Sequence, residues 1–173
     1  MTTKFASEPL DGKKHNRAAF FCEHKSLTDY IKQQASQDVK KNLAAVFVLT
    51  PDGATIAAYY TLSQYGVDAG ELPPQLLEQF RIPGYQRLPA TLIGRLARHI
   101  DFKGQTVGGH LLMDAFRRGL DATQTVASLA VVVEAKDENA VRFYKRYDFI
   151  QMPDHPDRLF IPMTTIRKLF ATA

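Results

Sequence analysis

The segment Lys103-Gly104-Gln105-Thr106-Val107-Gly108-Gly109 sets glycines on both sides of the point where a helical pattern begins. The first N–H groups of an α-helix have no partner inside it and lie at the positive end of its dipole. Glycines beside them let a phosphate approach the backbone, so the segment reads as a pyrophosphate cradle. It reads equally well as turn punctuation between a strand and a helix. No Gly-Lys-Ser/Thr follows, which excludes a Walker loop, and no Gly-x-Gly-x-x-Gly occurs, which excludes a Rossmann fingerprint. A second segment, Arg142-Phe143-Tyr144-Lys145-Arg146-Tyr147-Asp148-Phe149, spaces aromatic side chains along one helical face. Such aromatics usually build core, and that reading stands beside a functional one. The single cysteine, Cys22, excludes an internal disulfide and any multi-Cys zinc site, and no metal is expected.

The elements around these segments follow from pattern. A helix is expected from Ser26, where Ser26-Leu27-Thr28-Asp29 has capping-box spacing and Leu27, Tyr30, Ile31 and Ala35 recur at helical intervals. Ala44–Leu49 and Thr55–Leu62 read as strands joined by Pro51-Asp52-Gly53. Pro73-Pro74 opens a short helix through Leu76, Leu77 and Phe80, which Pro83 and Gly84 end. Thr91–Ala97 reads as a strand, and Val107–Ala122 as an amphipathic helix with Leu111, Leu112, Ala115, Phe116 and Leu120 inward. Leu129–Val133 is a strand buried on both faces, Glu138–Tyr147 a helix, and Phe149-Ile150 and Leu159–Ile161 short closing strands. Hairpins first and strand–helix–strand later make an α+β fold, a mixed central sheet with flanking helices.

The 173 residues suit one domain spanning 1–173, with no linker or repeat to divide them. No apolar run approaches the ~20 residues of a bilayer span, and the N-terminus has no apolar signal stretch. The expected location is the cytoplasm, with no membrane association. Residues 1–80 carry 8 basic and 9 acidic side chains, whereas 81–173 carry 14 and 9. The basic second half suits an anionic ligand or nucleic acid, and equally a solvated face.

Strand, phosphate-type turn, helix, strand, then a helix ending Phe-Tyr-x-x-Tyr-x-Phe resembles the GNAT superfamily of acetyl-CoA-dependent N-acetyltransferases, over about residues 20–163. Within it the chain is similar to the acetyltransferase toxins of toxin–antitoxin modules that acetylate aminoacyl-tRNA. The residues that carry this are Phe21-Cys22 before the first helix, Tyr59-Tyr60-Thr61-Leu62-Ser63, Leu92-Ile93-Gly94-Arg95-Leu96-Ala97, and Ala135-Lys136-Asp137-Glu138 ahead of Arg142-Phe143-Tyr144.

The resemblance implies a GNAT-like acyl-CoA N-acyltransferase fold and acetyl-CoA as co-substrate. It implies that Leu96, Ala97 and Arg98 bond the pantetheine arm through their backbones, with an oxyanion donor near Ala97. By the same resemblance Lys103, Gly104, Gln105, Thr106, Val107, Gly108 and Gly109 hold the pyrophosphate, Asn139 and Phe143 line the cofactor, and Tyr144 protonates the leaving thiolate. An aminoacyl-tRNA acceptor, a ribbon-helix-helix antitoxin and a homodimer belong to the same expectation. Arg81, Arg87, Arg142, Lys145 and Arg146 are candidate tRNA phosphate contacts. The loop departs from the family pattern: Lys103 lacks the bidentate fork of arginine, and Thr106 stands at a usual glycine. Thr106 therefore either obstructs the phosphates or caps the helix with its hydroxyl. Glu134 is a candidate general base or a solvated strand end, and His99 and His110 read as surface histidines. Two other functions stay open: an acetyltransferase for a small or protein amine, and a non-catalytic CoA-binding module.

Overall fold

The computed structural model describes residues 3–82 and 84–171. Pro83, expected to end the helix opened by Pro73-Pro74, and Met1-Thr2 of the N-terminal stretch lie outside the described residues. The element order is β1 (Ala6–Pro9), α1 (Lys25–Gln33), α2 (Ala35–Lys40), β2 (Ala45–Thr50), β3 (Ala58–Asp68), α3 (Pro74–Gln79), β4 (Arg87–Arg98), α4 (Val107–Ala122), β5 (Ala130–Glu134), α5 (Glu138–Arg146), β6 (Ile150–Met152), β7 (His155–Pro162) and α6 (Met163–Ala171). The strands form one mixed sheet in the order β1-β2-β3-β4-β5-β7-β6. β1–β2, β2–β3, β5–β7 and β6–β7 pair antiparallel, and β4 pairs β5 in parallel.

Two compact units divide the chain. One takes the chain up to Ser63 together with Gly94–Arg117; the other takes Gln64–Ile93 and the chain from Arg118 onward. The first buries Phe20, Leu27, Tyr30, Ile31, Val48, Tyr59 and Ala97 together. The second buries Val67, Leu72, Leu88, Val132, Met152 and Phe160. In α4, Leu111, Leu112, Ala115 and Phe116 are buried as the spacing requires, and Leu120 is half-buried. Each fully buried large side chain stabilises the fold by about 1.5–3 kcal/mol.

Several expected boundaries move, each for a physical reason. α1 starts at Lys25, and its N-cap His24 makes no side-chain cap bond. The Ser26 capping box does not form, because the helix already begins at Lys25, which leaves Ser26 inside it, and Asp29 pairs with Lys25. The helix breaks at Gln34, so Ala35 opens α2. β3 begins three residues later than expected and continues through a polar stretch to Asp68, and β4 begins at Arg87 despite Pro89. Pro89 has no N–H to give a ladder, but its carbonyl accepts from Leu129 at 2.8 Å. β7 starts at His155 because its first residues close a hairpin with β6. β1 and α6 are not among the elements expected from the sequence pattern.

Candidate active site

In the first unit, β4 leads directly into the glycine turn and α4. The parallel register pairs Thr91, Leu92 and Ile93 with Val131, Val132 and Val133 and stops there. β4 runs on through Arg98, so Leu96, Ala97 and Arg98 lie beyond the last β5 pair. Backbone groups in such an extension can take up an extended ligand as an added strand. Ala97 is buried, while Leu96 and Arg98 are half-buried. The Nε of Arg98 is buried without a hydrogen-bond partner.

The turn is ordered by its own backbone. His99 accepts the N–H of Asp101 through Nδ1 at 3.1 Å, and its Nε2 lies 3.0 Å from the Ala19 carbonyl. His99 is therefore a satisfied structural histidine, buried rather than at the surface as expected. The N–H of Lys103 bonds the Ile100 carbonyl, and that of Gln105 the Phe102 carbonyl. The N–H groups of Gly104, Thr106, Val107, Gly108 and Gly109 have no hydrogen-bond partner among the described residues. Of the seven residues expected to hold a pyrophosphate, these five keep free donors and two do not.

Thr106 has φ +58°, in the left-handed region that a β-branched residue rarely adopts. An N-cap has extended backbone and accepts from the helix. Here the Thr106 hydroxyl instead donates to the Gln105 carbonyl at 2.6 Å. The capping alternative is thereby corrected: Thr106 sits where glycine would be unstrained and leaves the helix donors open. Gly104 (φ +82°) needs glycine for the same reason. Lys103 points its ammonium at Glu23, 2.8 Å away. That exposed pair contributes little to stability, but it holds the Glu23 carboxyl below its usual range, chiefly through the Lys103 hydrogen bond.

In the second unit, α5 carries Asn139, Phe143 and Tyr144. Asp137 caps it, accepting the Ala140 N–H at 2.8 Å from an extended backbone. Asn139 is exposed and its side-chain oxygen accepts from Arg142. Phe143 is half-buried, with its ring 5.3 Å from that of Tyr144. Tyr144 is buried against Phe149, ring centres 5.2 Å apart. Burial alone pushes its phenol well above the ordinary tyrosine range, which keeps the proton in place. The Tyr144 hydroxyl makes no hydrogen bond among the described residues.

Glu134 accepts from Arg158 at 3.2 Å, and Arg158 also bonds Glu71 at 3.0 Å. The Arg158 guanidinium occupies a Glu134 oxygen, which weakens the case for Glu134 as a base. His110 is exposed on α4. The sequence reading gave no role to Glu23, whose contact lies 80 residues away at Lys103. Nor did it give one to Arg95, which lies over the Tyr30 ring. No local spacing announces either contact.

A mixed sheet whose fourth strand outruns its parallel partner into a glycine turn and an uncapped helix is the frame of a GNAT-type acyltransferase. No family model matches the chain. A probable toxin TacT of Sinorhizobium fredii is 31% identical over 170 residues, spanning 94% of this chain and 93% of its own. A tRNA-acetylating toxin of Mycobacterium tuberculosis is 29% identical over 144 residues, spanning 83% and 84%. The solved structure of AtaT complexed with acetyl-methionyl-tRNAfMet superposes with a TM-score of 0.86 at 26% identity, covering 96% of this chain and 99% of that one. The chain belongs to the TacT family of acetyltransferase toxins.

Proposed function

We propose that this protein transfers the acetyl group of acetyl-CoA to the α-amine of an aminoacyl-tRNA, blocking translation in the cytoplasm as the toxin of a toxin–antitoxin pair. One observation carries the donor half: β4 extends past its last β5 partner and ends two short turns before a helix whose first N–H groups are free. Pantetheine fits the backbone of Leu96–Arg98, and a diphosphate fits the open amides of Gly104 and Thr106–Gly109. Bound there, acetyl-CoA supplies an activated acyl thioester. The N–H near Ala97 acts as oxyanion donor, stabilising charge on the carbonyl oxygen as the amine nitrogen attacks the carbonyl carbon. Tyr144 gives its proton to the sulfur as the C–S bond breaks. A phenol raised by burial donates uphill to a thiolate of ordinary pKa ~8.5, so the transfer is concerted with C–S cleavage. The amine's own proton then restores the phenol, closing the balance.

An α-amino group of pKa ~7.7–8.0 is appreciably neutral at pH 7, so it needs no strong base, and the pairing of Glu134 with Arg158 agrees with that. The acceptor half draws on the M. tuberculosis relative, named a tRNA-acetylating toxin, and on the tRNA complex of AtaT. Arg81, Arg87, Arg142, Lys145 and Arg146 are exposed and suit phosphate contacts. Among the described residues no helix is long and apolar enough to cross a membrane. β3, β4 and α4 each run through both compact units, which supports one domain over 1–173. A ribbon-helix-helix antitoxin and a homodimer complete the reading.

The test is cell-free translation. Inhibition is expected only when acetyl-CoA is present, with acetyl label on charged and not on uncharged tRNA. Label confined to polyamines or protein amines would overturn the acceptor assignment.

A further inference from the structure

Arg95 lies on β4 two residues before Ala97, and strand alternation puts the two on one face. Its guanidinium carbon sits 3.6 Å from the centre of the Tyr30 ring, a stacked cation–π contact. Tyr30 is a fixed platform. It is 5% exposed, its hydroxyl donates to Asp38 at 2.8 Å, and its ring stacks on Tyr59 at 6.2 Å. Asp38 is engaged further, accepting from Gln34 at 2.8 Å. Arg95 itself is half-buried, yet among the described residues it makes no hydrogen bond and no ion pair within 4 Å. A guanidinium carries five donors in a planar fork that matches a phosphate bidentately. None of the Arg95 nitrogens is among the buried atoms that lack a partner, so these donors reach solvent and are open to a ligand. The side chain is held in place by an aromatic face and leaves its whole fork free.

The geometry points to Arg95 as the residue that binds the 3′-terminal phosphodiester of the acceptor, an assignment that rests on the aminoacyl-tRNA reading above. The cation lies on the strand that carries the expected oxyanion donor, so a phosphodiester gripped there would place its aminoacyl ester near the thioester. The Tyr30 ring keeps the fork from swinging away, and the charge of Arg95 also acts on the Asp38 carboxylate. Lysine could supply the charge at this point but neither the stack nor the bidentate grip.

The experiment uses two minimal acceptors bearing the amino acid that takes label on tRNA: the aminoacyl-adenosine, and the same compound as its 5′-methylphosphate diester. The wild-type protein is expected to prefer the diester by about 10- to 100-fold in kcat/KM, the range of a hydrogen-bonded charge pair. Arg95→Met should bring that preference close to unity, mainly through KM, and Arg95→Lys should restore only part of it. Calorimetric titration with acetyl-CoA shows that each variant is folded and decides which phosphate is read. Weaker acetyl-CoA binding by Arg95→Met would assign the fork to the donor and overturn the proposal. So would an equal preference in wild type and Arg95→Met, or a wild type that does not distinguish the two acceptors. The double variant Asp38→Asn/Arg95→Met removes both charges, and a preference restored there would show Arg95 to be only the counter-charge of Asp38. Failure of the wild type to acetylate charged tRNA at all would sink the aminoacyl-tRNA reading itself, before any variant is compared.

Discussion

Two helices each follow a strand of the same sheet, and their first turns are built in opposite ways. α5 closes its own start: Asp137 accepts the Ala140 N–H, and Glu138 adds negative charge to the first turn. α4 has no acidic residue in its first turn, and the residue before it points its hydroxyl away while holding φ at +58°. Free amides at a helix N-terminus are a standing cost that a cap normally removes, by roughly 0.5–2 kcal/mol. At α5 that stabilisation is taken, and the helix becomes a rigid mount for a buried phenol. At α4 it is forgone, and the amides stay available to an anion. Stability and binding compete for the same N–H groups, and the two helices resolve the competition differently.

The largest expected effect separates the two starts by function. Tyr144→Phe should lower turnover by about 10²–10⁴-fold, the span of a lost general acid, while acetyl-CoA affinity by calorimetry stays close to wild type. Burial keeps the wild-type phenol protonated past its ordinary value, so its pH–rate profile should show no loss centred near pH ~10. Equal turnover in the two proteins would remove Tyr144 from the chemistry and leave α5 as a packing element.

Thr106 tests the open start from both directions. Thr106→Asp offers α4 the cap that α5 already has, and should weaken acetyl-CoA binding by about tenfold or more through repulsion of the phosphates and loss of free amides. Thr106→Gly relieves the left-handed strain and clears the backbone, and should tighten binding, up to about tenfold for ~1.4 kcal/mol. Weaker binding by the glycine variant would mean that the hydroxyl itself holds a phosphate.

The smallest effect sharpens the closed start. Asp137→Ala should lower unfolding free energy by about 1 kcal/mol in denaturant titration, with acetyl-CoA affinity little changed. A loss of affinity larger than the loss of stability would show that the first turn of α5 also serves the ligand.

The sequence by itself determined the elements whose residues are near neighbours along the chain. The 3.6-residue spacing of Leu111, Leu112, Ala115 and Phe116 set α4 to the residue, and the β-branched run Val131–Val133 set β5, because local periodicity decides which face is buried. The glycines before α4 marked the turn, and Phe143-Tyr144 marked the mount for the phenol. Tertiary structure decided what depends on partners far along the chain. Lys103 was drawn from the turn's interior to Glu23, 80 residues away. Glu134 met Arg158 across paired strands, and Arg95 settled on Tyr30. Propensity and spacing encode the backbone's local choices, whereas a side chain's hydrogen-bond partner is fixed only when the sheet brings remote residues together. That is why the cradle was readable in outline, and why the question of which of its amides and cations are free was answered only by the fold.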